Sequence, residues 1–140
     1  MAQTLNQSIT HLLHRASQKA TERFAKGLGD SDLTARQLVV LAAIGAGDGL
    51  SQTDIVNATG IDRSTLADIA RRLKERGLIS RRRTKEDERA YAVTLTAAGR
   101  KALDSAAPVL ERIEADLLAS LPVKRRAELI AALGALAALE

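Results

Sequence analysis

The chain has 140 residues, with 21 Lys and Arg against 17 Asp and Glu, no Cys, no Trp, one Phe and one Tyr. That length suits one compact domain, and a core made of Ala, Leu, Ile and Val favours packed helices over a β-sandwich. The lack of Cys excludes disulfides, thiolate metal sites and thiol redox sensing, while a polar start over residues 1–9 and short apolar runs lead to the expectation of a soluble cytoplasmic protein without signal peptide or membrane span.

From Leu5 onward, Ile9, Leu12, Leu13, Ala16, Ala20 and Phe24 recur at three- and four-residue steps, the mark of a long helix that Gly27, Gly29 and Asp30 end. Thr34 with Gln37 has the form of a capping box, opening a second helix with Leu38, Leu41, Ala42 and Ile44 as its inward stripe. Gly45, Gly47 and Gly49 close it. They lack the Lys-Ser/Thr of a phosphate loop, so they read as a turn. Ser51 and Asp54 repeat the capping pattern for a short third helix with Ile55, Val56 and Ala58 inward, and Thr59-Gly60 turns the chain.

Asp62 is a good N-cap for a fourth helix that runs to Gly77. Leu66, Ile69, Ala70 and Leu73 face inward; Ser64, Ala67, Asp68 and Arg71 face outward, flanked by Thr65 and Arg72. The period then changes to two. Residues 79–83 and 89–95 read as strands, with Tyr91, Val93 and Leu95 on one face and 84–88 as a charged tip. Beyond Thr96 a long helical stripe runs through Leu103, Ala107, Leu110, Ile113, Leu117 and Leu121, with Pro108 as a bend or boundary. Pro122 restarts a last helix carrying Leu129, Ile130, Leu133 and Leu136.

Residues 71–83 hold seven basic side chains (Arg71, Arg72, Lys74, Arg76, Arg81, Arg82, Arg83) and one acid, Glu75, a net +6. The whole chain is only +4, so the remainder is −2. Such concentration is the footprint of a nucleic-acid surface. Helix, tight turn, helix with a polar outer face, then a basic hairpin is the order of a winged helix-turn-helix: mainly α, with a small β-hairpin wing. The second helix of the pair would enter a major groove and the wing would reach the backbone or the adjacent minor groove.

The ordered segments Leu33-Thr34-Ala35-Arg36-Gln37-Leu38, Ser51-Gln52-Thr53-Asp54-Ile55, Ile61-Asp62-Arg63-Ser64-Thr65-Leu66, Arg72-Leu73-Lys74-Glu75-Arg76-Gly77-Leu78-Ile79, Asp87-Glu88-Arg89 and Leu95-Thr96-Ala97-Ala98-Gly99 closely resemble the MarR family of bacterial transcription regulators. The resemblance implies a ligand-responsive repressor acting as a homodimer. Residues 1–30 and 100–140 would form the dimerisation helices, and 33–98 the lobe that binds a near-palindromic operator in double-stranded DNA. Apolar stripes on three terminal helices, wider than one small domain needs, support the dimer independently. DNA contacts would come from Arg63, Ser64, Thr65, Asp68, Arg71 and Arg72 on the helix and from Arg81, Arg83, Lys85, Asp87 and Arg89 on the wing. The family's wing-tip Asp-x-Arg implies that Arg89 inserts into the minor groove and that Asp87 orients it. Arg81, Arg83 and Lys85 would meet phosphates, with Arg82 turned away by strand alternation.

Two residues depart from the pattern. Glu88 sets an acid beside Arg89, facing a polyanion. Asp68 stands where many relatives carry a basic or hydroxyl residue; it can accept from a cytosine amino group, or pair with Arg71 or Arg72 and aim it at guanine. No nucleophile has an evident base, so neither an enzyme nor a cofactor is expected. His11 and His14 share one side of the first helix but lack further metal ligands, and no metal site is expected. By family analogy His11, His14, Arg15 and Arg36 are candidate contacts for a small anionic effector such as an aromatic acid. The alternatives are a regulator without a ligand and a winged-helix module that binds protein.

Overall fold

The computed structural model describes residues 4–29, 31–84 and 91–138. After a 3-10 turn at Leu5–Gln7 come α1 (Ile9–Gly27), α2 (Ala35–Ala46), α3 (Gln52–Thr59), α4 (Arg63–Glu75), β1 (Ile79–Arg83), β2 (Tyr91–Leu95), α5 (Ala97–Leu117) and α6 (Val123–Ala137). They fall into two compact units, Leu28–Val109 and the pair of segments Met1–Gly27 with Leu110–Glu140. Helix α5 continues through Pro108, and the division between units comes just after it. Among the described residues no helix is long and apolar enough to cross a membrane.

In the unit Leu28–Val109, local chemistry sets the helix starts. Thr34 Oγ1 accepts from the Gln37 N–H at 3.1 Å while Gln37 Oε1 accepts from the Thr34 N–H at 3.0 Å. Ser51 and Asp54 make the same reciprocal pair at α3. Each box satisfies two backbone donors that a helix end otherwise orphans. Helix α3 ends at Gly60, whose φ of 72° only a residue without Cβ adopts cheaply, and its N–H donates to Val56 O at 2.8 Å. Helix α4 ends in a Schellman closure: the Gly77 N–H donates to Lys74 O, and the Leu78 N–H donates to Leu73 O at 3.0 Å.

The core of this unit joins Leu38, Val40, Leu41 and Ile44 of α2 to Ile55 of α3, to Leu66, Ile69, Ala70 and Leu73 of α4, and to Leu78, Ile79 and Val93. Two inward assignments made from the sequence are corrected. Ala42 is exposed and Val40 is fully buried, because at 100° per residue the buried arc of α2 runs from Val40 through Ile44 and Leu41 to Leu38, and Ala42 falls beyond its edge. Ala58 is also exposed. Half-buried Thr59 takes the inward place one turn after Ile55, donating its hydroxyl to Ile55 O at 2.7 Å.

The hairpin is antiparallel, with Ile79 opposite Leu95, Arg81 opposite Val93 and Arg83 opposite Tyr91. Tyr91 shares the face of buried Val93 but is itself exposed at the outer end. Leu50, in the stretch read as a turn, bridges β2 through paired backbone bonds with Val93 of 3.2 and 2.7 Å. Thr96 opens α5 by donating its hydroxyl to Gly77 O at 2.6 Å, so the start of that helix is fixed to the end of α4.

The other unit, built from α1, the later part of α5 and α6, has a different character. Among its described residues only Ile113 is buried. Ile9, Ile130 and Val123 are 69%, 68% and 76% exposed, and Leu12, Leu13, Leu133 and Leu136 are exposed as well. An apolar groove of about 810 Å³ runs between Leu12, Leu13 and Ala16 on one side and Leu117, Leu129 and Leu133 on the other.

Leu66→Ala should lower stability by about 2–5 kcal/mol, the range for truncating a buried leucine. Ala42→Ser should change it by less than about 0.5 kcal/mol, as expected of an exposed site. Urea unfolding of both variants checks the assigned faces, and comparable losses would refute them.

Candidate nucleic-acid interface

The outer surface of α4 is fixed at its start by Asp62. Its Oδ1 accepts from the Thr65 N–H at 2.8 Å and its Oδ2 from the Thr65 hydroxyl at 2.7 Å. Those bonds, the backbone donor foremost, hold the Asp62 carboxyl below the usual carboxylate range. Arg63 donates through Nη2 to Thr53 Oγ1 at 2.8 Å and so ties α4 to α3. Sequence periodicity carried no sign of this link, which spans the turn. Ser64 is exposed beside it, and Thr65 is half-buried.

Further along the same strip lie Asp68, Arg71, Arg72 and Glu75. Arg71 Nη2 donates to Asp68 Oδ1 at 2.6 Å, and its Nη1 donates to Glu75 Oε1 at 3.0 Å. Arg72 Nε lies 3.2 Å from Asp68 Oδ2. Asp68 therefore pairs with both arginines, one on each oxygen. The bond from Arg71 leads the causes that depress the Asp68 pKa, and the two acids raise that of Arg71. All four side chains are about half exposed or more, so these pairs orient the groups and add little stability. Two guanidiniums and two carboxylates leave the strip without net charge.

Beside α4, β1 carries Arg81, Arg82 and Arg83, all exposed. The register puts Arg81 and Arg83 on the Val93 and Tyr91 face and Arg82 on the opposite one, opposite Ala92. Arg83 donates from Nε to Tyr91 Oη at 3.4 Å, and its guanidinium carbon is 5.8 Å from the ring centroid. The hairpin register could have announced this contact from sequence. Arg81 borders a cleft of about 260 Å³ with Ser51, Gln52, Thr53 and Tyr91, so α3, α4 and the hairpin meet there. Arg76 turns from this surface and donates to Asp32 O at 2.8 Å. Lys85, Asp87, Glu88 and Arg89 lie outside the described residues.

The candidate effector contacts are divided between the two units. His11 is half-buried and His14 and Arg15 are exposed, all on α1, whereas Arg36 is exposed at the start of α2.

A family model described as the MarR family matches residues 31–90, the segment that holds this interface. The transcriptional repressor NicR of Pseudomonas putida is 31% identical over 126 residues, covering 90% of this chain and 80% of NicR. The chain belongs to the MarR family. Among solved MarR-like structures, Bordetella bronchiseptica BpsR, whose DNA binding is regulated by 6-hydroxynicotinic acid, matches with a TM-score of 0.93 at 31% identity, covering 100% of both chains. The transcriptional repressor CouR, bound to a 23-mer DNA duplex, matches with a TM-score of 0.88 at 30% identity over 95% of this chain and 94% of CouR. The winged helix-turn-helix fold read from the sequence is thus that of MarR-family transcription regulators.

The Asp54, Asp62 and Asp68 carboxyls all titrate lower in the folded chain than their ordinary value. The unfolded chain consequently binds more protons as the pH falls below about 4. Their contribution is complete above the unfolded pKa and is lost as the pH drops through the folded values. Urea midpoints measured from pH 6 to 2 should fall, and Asp62→Asn, which keeps a capping side chain, should remove part of that fall. An unaltered pH profile in the variant would reject the charged cap.

Proposed function

We propose that this protein is a homodimeric, sequence-specific double-stranded DNA-binding repressor acting in the cytoplasm, released from a near-palindromic operator by a small anionic or aromatic ligand. The observation that carries the reading is the exposed polar face of α4, anchored by buried Leu66 and Leu73, followed directly in the chain by the exposed arginines of β1, all within Leu28–Val109. The DNA-bound relative CouR supports it. Helix α4 enters the major groove, presenting Arg63, Ser64, Thr65, Asp68, Arg71 and Arg72. Arg81, Arg83 and Lys85 meet phosphates, and Arg89, held by Asp87, inserts into the minor groove.

Dimerisation is assigned to residues 1–30 and 100–140. The support is physical: a unit with one buried side chain among its described residues, and a row of exposed leucines and isoleucines, cannot bury enough apolar surface alone. A second copy covers it. Two-fold symmetry would then offer one α4 helix to each half of a near-palindromic operator.

With about six phosphate contacts per dimer, duplex affinity should fall roughly 10³-fold between 50 and 200 mM salt. A flat salt response would turn the reading toward a protein-binding module. Arg89→Ala should weaken operator binding while sedimentation still reports a dimer; if the dimer is lost too, the role of Arg89 is wrong.

BpsR has its DNA binding regulated by 6-hydroxynicotinic acid, and this supports an anionic aromatic effector here; the candidates for its contacts are His11, His14 and Arg15 on α1 and, in the other unit, Arg36. In fluorescence anisotropy, that acid or a close carboxylate analogue should displace the wild type from its operator. Arg15→Ala should require more of it. Displacement unaffected by substitutions at all four positions would move the effector site elsewhere.

A further inference from the structure

Arg71 and Arg72 are neighbours on α4 with similar exposure, yet Asp68 holds them in different ways. Both terminal nitrogens of Arg71 are occupied, Nη2 by Asp68 and Nη1 by Glu75. Arg72 is held through Nε alone, and among the described residues nothing pairs with its two terminal nitrogens. The distinction matters for base reading. Guanine offers two acceptors, N7 and O6, on its major-groove edge, and an arginine meets them with a fork of two N–H donors. To present its terminal fork, Arg71 must release both acids, and Glu75 would then stand unpaired against a polyanion, Asp68 keeping only Arg72. Arg72 can present its fork with the Asp68 contact in place.

We propose that Arg72, aimed by Asp68 through its Nε, reads a guanine in each half-site, and that Arg71 neutralises Asp68 and Glu75 and does not read a base. The assignment rests on the DNA-binding reading above and adds which side chain discriminates and for what. Asp68 is a positioning residue. A carboxylate facing guanine would repel N7 and O6, and here both of its oxygens are already committed to guanidiniums. Glu75 completes the arrangement by occupying the second terminal nitrogen of Arg71.

The experiment selects bound duplexes from a randomised pool with the full-length wild type, Arg72→Lys, Arg71→Lys and Asp68→Asn. Lysine keeps the charge and loses the planar fork, so sequence reading separates from simple attraction. The wild type should enrich one guanine symmetrically in both half-sites. Arg72→Lys should lose roughly tenfold or more of the discrimination at that base pair alone. Arg71→Lys should weaken all duplexes alike and retain the guanine. Asp68→Asn, one unit more positive per subunit, should bind random duplex more tightly and read the guanine less sharply. Retention of the guanine preference in Arg72→Lys, or its loss in Arg71→Lys, overturns the assignment. Random-duplex binding of the wild type at low salt is the control for the underlying reading: without it the DNA-binding proposal fails and takes this one with it, whereas intact binding with an unchanged preference sinks only the role of Arg72.

Discussion

Leu66 and Leu73 are fully buried two turns apart on α4, with Ile69 and Ala70 between them. This short stripe sets the rotation of the helix about its axis, and therefore which side chains look outward. Its two ends fix the remaining freedom. Asp62 stops the helix from fraying at its start, and the Schellman closure at Gly77 sends the chain directly into β1. The arginines of the hairpin thus follow α4 at a defined register. Loss of either end would leave the residues present and their arrangement undefined.

The helix starts were legible because capping is local: Thr34 with Gln37, Ser51 with Asp54, and Asp62 each solve a backbone problem within three residues. The β1 span was legible through its change of period. Alanine misled in two places, since Ala42 and Ala58 are apolar enough to suggest burial and small enough to tolerate exposure. The contacts of Arg63 with Thr53 and of Arg76 with Asp32 join residues ten and forty-four positions apart, and periodicity says nothing about such pairs. Asp68 fell between these cases. The i+3 and i+4 spacing allows pairing with either arginine, and in the folded chain it takes both, through different nitrogens.

The two units solve the problem of burial differently. Leu28–Val109 closes a core of its own from three helices, the hairpin and the Leu50 bridge. The α1 and α6 unit leaves most of its large apolar side chains uncovered, although they keep regular helical spacing. Regular spacing of exposed leucines describes a face intended for another surface, and under the proposed dimer that surface is its own copy. The scarcity of aromatic residues fits, because Ala and Leu allow helices to approach closely and leave a groove between them.

The charge-neutral strip on α4 has an evolutionary consequence. Under the proposed function, attraction to any duplex would come mainly from basic side chains outside the quartet Asp68, Arg71, Arg72 and Glu75, the hairpin arginines foremost, while the quartet would supply the choice among duplexes. A change of base-reading side chain on α4 that preserves the balance between acids and arginines would redirect such a protein to a new target while leaving its sliding along bulk chromosome, and hence its search time, nearly as before. Paralogues could diverge in target gene through a few substitutions on one helix, with no compensating adjustment in the wing.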